Sequence, residues 1–231
     1  MKKQINFVDF EKKVNYVTSM VYFRDGFIML KKFCLLTVFT LFATSVYANN
    51  NISLPNPIRE SDLMNTIDLR VSSRHYSNKE ISVQTLSDIL WVAYGVNKNG
   101  TRTIATAKNE QNLKLYVVYK GAVWYYDAFT NSLNKITNEN VMVDIAKQGF
   151  VSDAPVNLIY VGSDKDYSAF HAGSATQNVY LYATKNGLNT IVRGLIDKEA
   201  LKRKLKLTSD EFVIINQVIG YPKIKFFKGW Y

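Results

Sequence analysis

The chain has 231 residues, 47% of them apolar, and carries 29 Lys/Arg against 19 Asp/Glu, a formal net charge of +10. That length and apolar content suit one domain, or at most two small ones, able to bury a substantial core. A single cysteine, Cys34, excludes a disulfide framework and a thiolate metal site.

Residues 29–48, MLKKFCLLTVFTLFATSVYA, read as a secretory signal peptide. Lys31 and Lys32 form its charged region, Phe33 to Val46 its apolar stretch, and Val46-Tyr47-Ala48 a small-residue cleavage site. The stretch is too short and wrongly flanked for a spanning helix, so no membrane span is expected after cleavage. Residues 1–28 then read as an extension called ahead of the true start at Met29. The mature chain is expected outside the cytoplasm, periplasmic or extracellular. Residues 1–48 hold seven Lys/Arg and three Asp/Glu, which leaves 22 basic against 16 acidic groups in the mature chain. This moderate excess favours an anionic ligand. The absence of a long Lys/Arg run or a basic-aromatic stripe argues against nucleic acid as a partner. Cys34 lies inside the signal, so the mature protein has no thiol nucleophile either.

Residues 49–65, with Pro55 and Pro57, read as an extended lead-in to a domain spanning 66–231. LRVSSRHY, residues 69–76, sets Arg70 and Arg74 around two serines. Two rigid five-donor forks beside hydroxyls suggest an anion cradle, although a solvated basic turn gives the same pattern. ISVQTLSDILWVAYGVN places Leu86, Ile89, Leu90 and Ala93 on one helical face, with Gly95 as the stop. LKLYVVYKGAVWYYDA reads as two strands joined at Lys120-Gly121. APVNLIYVGSD reads as a buried strand, and SATQNVYLYATKNGLNT as a long helix closed by Asn186-Gly187. DKEALKRKLKL is a short amphipathic helix capped by Asp197, and EFVIINQVIGYP a last core strand ended by Gly220 and Pro222. The chain contains no repeat, and its elements interleave without a regular βαβ beat. They predict one α+β domain.

Nucleophilic hydrolysis finds little support, because no serine sits in a G-x-S-x-G setting. His75 and His171, the only histidines, lack a metal-ligand pattern, and no metal site is expected. His75 is expected exposed beside the arginines and His171 at the start of the long helix. A chain with so few acid-base or nucleophilic groups suits chemistry carried by a bound organic cofactor. The loop GTRTIATAKNEQ brings Thr106, Asn109 and Gln111 within six residues. Their hydroxyl and amide groups suit a heteroaromatic edge, or simply solvate the loop.

Taken in order, these stretches resemble a known family. They are R-x-S-x-R-x-aromatic (Arg70, Ser72, Arg74, Tyr76), a Pro-Ser-Ala-x-Asn-x-Gln-like loop at 105–111, APVNLIYV, QNVYLYATKNGLNTIVRG and IGYP. The chain is similar to the FMN-dependent nitroreductase superfamily over roughly residues 66–222, and within it to the branch of SagB/thiazole-oxidase-like dehydrogenases that includes exported bacterial members. The resemblance implies a nitroreductase-like α+β fold, with a mixed, mainly antiparallel central sheet flanked by helices and FMN at a homodimer interface. It implies that Arg70, Ser72 and Arg74 hold the FMN phosphate, and that Thr106, Asn109 and Gln111 face the ribityl chain and pyrimidine edge. Arg193 and Gly194 would set backbone N–H groups near flavin N5 and O4. The chain departs from the pattern in two residues: Ala105 replaces the usual proline, and His171 stands where relatives often carry an acidic residue. The late basic phosphate ligand is expected at Lys223 or Lys225. The implied activity is a ping-pong oxidoreductase with a small electron-poor substrate and no conspicuous catalytic side chain. Its alternative is an exported flavin- or anion-binding protein without turnover.

Overall fold

The computed structural model describes residues 52–223. The signal and extension assigned to residues 1–48, and Lys225, lie outside the described residues. Among the described residues no helix is long and apolar enough to cross a membrane.

Six strands form one sheet in the order β3-β2-β1-β4-β6-β5. They are β1 Leu113–Tyr119, β2 Ala122–Asp127, β3 Ser132–Thr137, β4 Val156–Gly162, β5 Asn189–Arg193 and β6 Phe212–Gly220. All five pairings are antiparallel. The β1–β2 turn falls where it is predicted: Lys120 (φ 48°) and Gly121 (φ 73°) supply the two left-handed residues that a tight primed hairpin turn requires. The helices are α1 Asp62–Leu69, α2 Val83–Tyr94, a short α3 Met142–Ile145, the long α4 Ser168–Lys185, and α5 Lys198–Lys204.

Strand alternation divides the core between the two faces of the sheet. Leu113, Leu115 and Val117 of β1, with Leu158 and Tyr160 of β4, pack toward Leu86, Ile89 and Ala93 of α2 and Ala172, Ala175 and Val179 of α4. The intervening Tyr116, Val118, Ile159 and Val161 pack on the other face with Ile145, Leu201 and Leu205. Both faces of β4 are therefore buried, which is why its sequence is apolar apart from Asn157, whose Oδ1 accepts from Asn216 on β6. A Cβ at Gly162 would overlap Ser168, so glycine lets the start of α4 close onto the end of β4.

Several elements differ from the sequence expectation. Residues 62–65 are not part of an extended lead-in: the Ser61 hydroxyl accepts the Met64 N–H and caps α1, a start signal outweighed by the neighbouring prolines in the sequence. Strand β3 is mostly exposed, and β5 is only five residues long, so neither shows the apolar run by which a buried strand is recognised. The long helix begins at Ser168, six residues before the predicted start, and carries His171 in its first turn.

Candidate functional site

The arginine stretch is held on both sides by backbone hydrogen bonds. Ser73 N–H donates to the Thr190 carbonyl of edge strand β5 (3.1 Å), and Ser77 N–H to the Tyr221 carbonyl (2.9 Å). Tyr76 is the anchor, 1% exposed, and its hydroxyl donates to the Ser73 carbonyl at 2.6 Å. Burial and then the nearby Tyr180 push its pKa well above the ordinary tyrosine value, with Arg74 and Arg193 opposing only in part. It therefore remains a neutral donor.

With Tyr76 inside, Arg70 lies half-buried and Arg74 exposed. The Arg70 guanidinium sits 5.2 Å from the centre of the Tyr180 ring, and that of Arg74 6.0 Å from the Phe150 ring. Among the described residues neither arginine makes an ion pair. The Ser72 and Tyr180 hydroxyls are 2.9 Å apart, and the Tyr180 oxygen also accepts the Val192 N–H at 3.0 Å. Exposed Lys223 runs beside the same stretch, its N–H donating to the His75 carbonyl at 3.4 Å. Exposed His75 uses that carbonyl again to accept from the Asn189 amide. Two charged forks braced on aromatic faces, a hydroxyl and a lysine along one stretch are the donor types that suit a dianion.

The second cluster lies in the loop before β1. A single 3₁₀ turn, Ala107–Asn109, carries Lys108 and Asn109 in the left-handed region (φ 52° and 58°). Thr106 is half-buried and makes no capping hydrogen bond, while Asn109 and Gln111 are exposed. Gln111 is already engaged on one side, because Arg102 Nε donates to its Oε1 at 2.8 Å. Arg102 is itself clamped between the Tyr94 and Phe129 rings, 4.3 and 4.7 Å from their centres, and donates to the Tyr94 carbonyl. An arginine can only donate, so this contact fixes the Gln111 amide with its NH₂ group as the free end. The loop thus offers donors rather than acceptors at that position.

Arg193 adjoins the arginine stretch, its guanidinium 5.7 Å from the centre of the Phe150 ring that also braces Arg74, but its donors are committed inside the protein. Its side chain is buried, 6% exposed, and every branch of the guanidinium is occupied. Nε donates to Gln148 Oε1, Nη1 to the Ile145 carbonyl and Asn216 Oδ1, and Nη2 to the Leu195 carbonyl, at 2.7–3.1 Å. Burial lowers its pKa, with Tyr76 opposing. The guanidinium ties β5 to α3 and β6, whereas Gly194 and Leu195 after it are exposed. Sequence reasoning missed Arg102 and Tyr180. Arg102 lies nine residues from Gln111 with no motif linking them, and Tyr180 sits in a helical pattern that reads simply as apolar.

Comparison with known proteins identifies the family and the fold. The nitroreductase family model matches residues 67–221. The "putative nitroreductase" of Methanocaldococcus jannaschii is 30% identical over 191 residues, which cover 73% of this chain and 95% of that protein. A crystal structure of the same designation from Ralstonia eutropha JMP134 is also 30% identical, covers 75% of this chain and 90% of its own, and superposes with a TM-score of 0.64. An FMN-dependent nitroreductase from Clostridium difficile R20291 shares the fold at 17% identity and a TM-score of 0.53, covering 70% of this chain and 88% of its own. The chain belongs to the nitroreductase family, an FMN-dependent oxidoreductase family whose members typically act as homodimers on small molecules.

The occupied guanidinium of Arg193 gives a test that separates fold from cofactor. Arg193→Met should destabilise the apo-protein by about 3–5 kcal/mol in urea unfolding, because it strands several buried acceptors. Wild-type stability combined with lost FMN binding would place the side chain in the cofactor site instead.

Proposed function

We propose that this protein is an exported FMN-dependent oxidoreductase of the SagB-type dehydrogenase branch. It would work as a homodimer, cycling between a small electron donor and an electron-poor acceptor. The observation that carries the reading is the pair Arg70 and Arg74, two guanidinium groups without a carboxylate partner among the described residues, beside the Ser72–Tyr180 hydroxyl pair. This donor set fits a phosphate monoester, whose oxygens accept bidentate charge-assisted bonds. Arg70, Arg74, Ser72 and Lys223 would hold the FMN phosphate, and Lys225 is a further candidate beyond the described residues. Thr106, Asn109 and the free NH₂ of Gln111 would face the ribityl chain and the ring. The two halves need not come from one subunit.

FMN, when bound, supplies hydride acceptance and donation at its N5 position. The protein's part is to hold the ring, leave one face open to substrates, and present N–H groups where electron density builds up. The Arg193-Gly194 backbone is proposed for that last task, separately from the locked Arg193 side chain. No acid-base residue is required of the chain.

Export is proposed from the order of charged, apolar and small residues in 29–48. Because NADH and NADPH are scarce outside the cytoplasm, a donor other than the bulk nicotinamides follows from it. Protein purified from the native cell should have a mass beginning at Asn49. It should be yellow, release FMN on denaturation, be reduced by dithionite and be reoxidised by a nitroaromatic or a quinone. Colourless protein that fails to take up FMN would refute the flavoenzyme. Rapid, saturable reduction by micromolar NADPH, or a mature chain retaining Met29, would refute the donor or the export reading alone.

Ligand binding tests the cradle directly. Arg70→Ala and Arg74→Ala should each weaken FMN binding by about 1.5–3 kcal/mol, the scale of a hydrogen bond to a charged group, and leave riboflavin binding nearly unchanged. Equal losses for the two ligands would remove the phosphate from these arginines.

A further inference from the structure

The loop that carries Thr106, Asn109 and Gln111 is tied to α4 by one side chain that neither the phosphate cradle nor the ring contacts use. His171 has no exposed surface at all. Its polarity can be read from the far end of a short chain of hydrogen bonds. The Asp164 carboxylate can only accept, so the Asn112 amide that reaches it at 3.3 Å presents Nδ2 there and turns Oδ1 toward the imidazole. His171 Nδ1 lies 2.8 Å from that Oδ1 and so carries the proton. Nε2 is left bare and accepts the Ala107 N–H at 2.8 Å. Only the neutral Nδ1–H tautomer makes both bonds.

We infer that His171 is a positioning residue for the cofactor loop, holding it in the form that takes up FMN. The inference rests on the assignment of this loop to FMN. One imidazole grips the loop at both ends, at Ala107 and at Asn112, on either side of the left-handed pair Lys108 and Asn109. That pair of non-glycine residues carries a conformational cost which the surrounding contacts must hold in place. Without the bond from Ala107 to Nε2 the grip is lost at the point where the left-handed turn begins.

The titratable and charged groups around the ring are few. Asp164 reaches it through Asn112, and Tyr167 stacks beside it with ring centres 6.4 Å apart. Lys108, from the loop itself, places its ammonium 5.7 Å from the centre of the Tyr167 ring. Phe170 closes another side with its ring centre 6.3 Å away. An acidic residue at position 171 would offer acceptors alone, whereas the imidazole here both donates and accepts.

The test measures FMN binding to the full-length apo-protein by quenching of flavin fluorescence, in wild type and in His171→Gln. Glutamine offers one acceptor for Ala107 and one donor for Asn112. The two proteins should bind FMN with affinities within roughly threefold of each other. His171→Ala, checked for folding by circular dichroism, should bind FMN more weakly by about tenfold or more. A folded His171→Ala variant that binds like wild type would overturn the inference, as would a His171→Gln variant as weak as His171→Ala. If wild type binds no FMN, the FMN assignment falls and this inference falls with it.

Discussion

Polar side chains along α4 must find partners because the helix is packed against the sheet, and those partners fix the segments around it. The buried face of the helix is built from small residues, Ala172, Ala175, Val179 and Ala183, which bring its backbone close to the strands. Its polar neighbours then reach outward in several directions. His171 takes the loop before β1, and Asn178 donates to the Val92 and Thr103 carbonyls at 3.0 and 3.3 Å. Tyr180 takes Ser72 and the edge of β5, and Tyr182 donates to Asp88 on α2. The arginine stretch and the ring loop are attached to the same helix nine residues apart, about 14 Å at the rise of an α-helix. Their separation is therefore set by the helix rather than by either segment.

Arginine appears in three distinct settings, and solvent access distinguishes them. Arg193 is desolvated, so each of its donors must be matched inside the protein, and it acts as a cross-link among β5, α3 and β6. Arg102 lies between two rings, donates to the Tyr94 carbonyl and gives a directional bond to Gln111, which makes it an orienting group. Arg70 and Arg74 are braced on aromatic faces from one side only and have no ion-pair partner among the described residues. The residue type alone does not distinguish these roles. The count of buried acceptors around each guanidinium does.

Legibility in the sequence followed the same physics. Helix α2, the β1–β2 turn, β4 and β6 were readable because burial forces an apolar period or run upon them, and turns demand particular residues. Strand β5 was not readable: its outer edge is satisfied by Ser73 and Tyr180, which are remote in sequence, so nothing local marks it as a strand. Among the candidate site residues, the arginine stretch and the polar loop stood out by composition. What composition cannot carry is commitment, namely whether a donor is already taken. The Arg193 guanidinium is taken, as is one end of Gln111, and both facts depend on contacts across 45 and 9 residues of sequence. The role of His171 was likewise hidden, since the sequence marks only its departure from an acidic residue, and its tautomer depends on Asn112 and Asp164.

The polarity of these commitments gives the proposed site a consistent electrostatic direction. At one end stand cationic forks and a lysine, with a hydroxyl pair whose oxygen is already fed by the Val192 N–H. At the other end Arg102 has used the acceptor of Gln111, so what remains to face a ligand is an NH₂ group. Burial keeps Tyr76 protonated beneath the arginines, so no phenolate offsets their charge from below. No carboxylate pairs with either arginine among the described residues. Under the proposed assignment such a lining would attract a phosphate at one end and stabilise added electron density at the other, since fixed donors aimed at developing charge need no reorganisation when it arrives. A site of this kind would favour electron uptake by its occupant without an acid-base side chain in contact with it, while His171, one layer behind the loop, holds the loop's backbone at Ala107 and its Asn112 side chain.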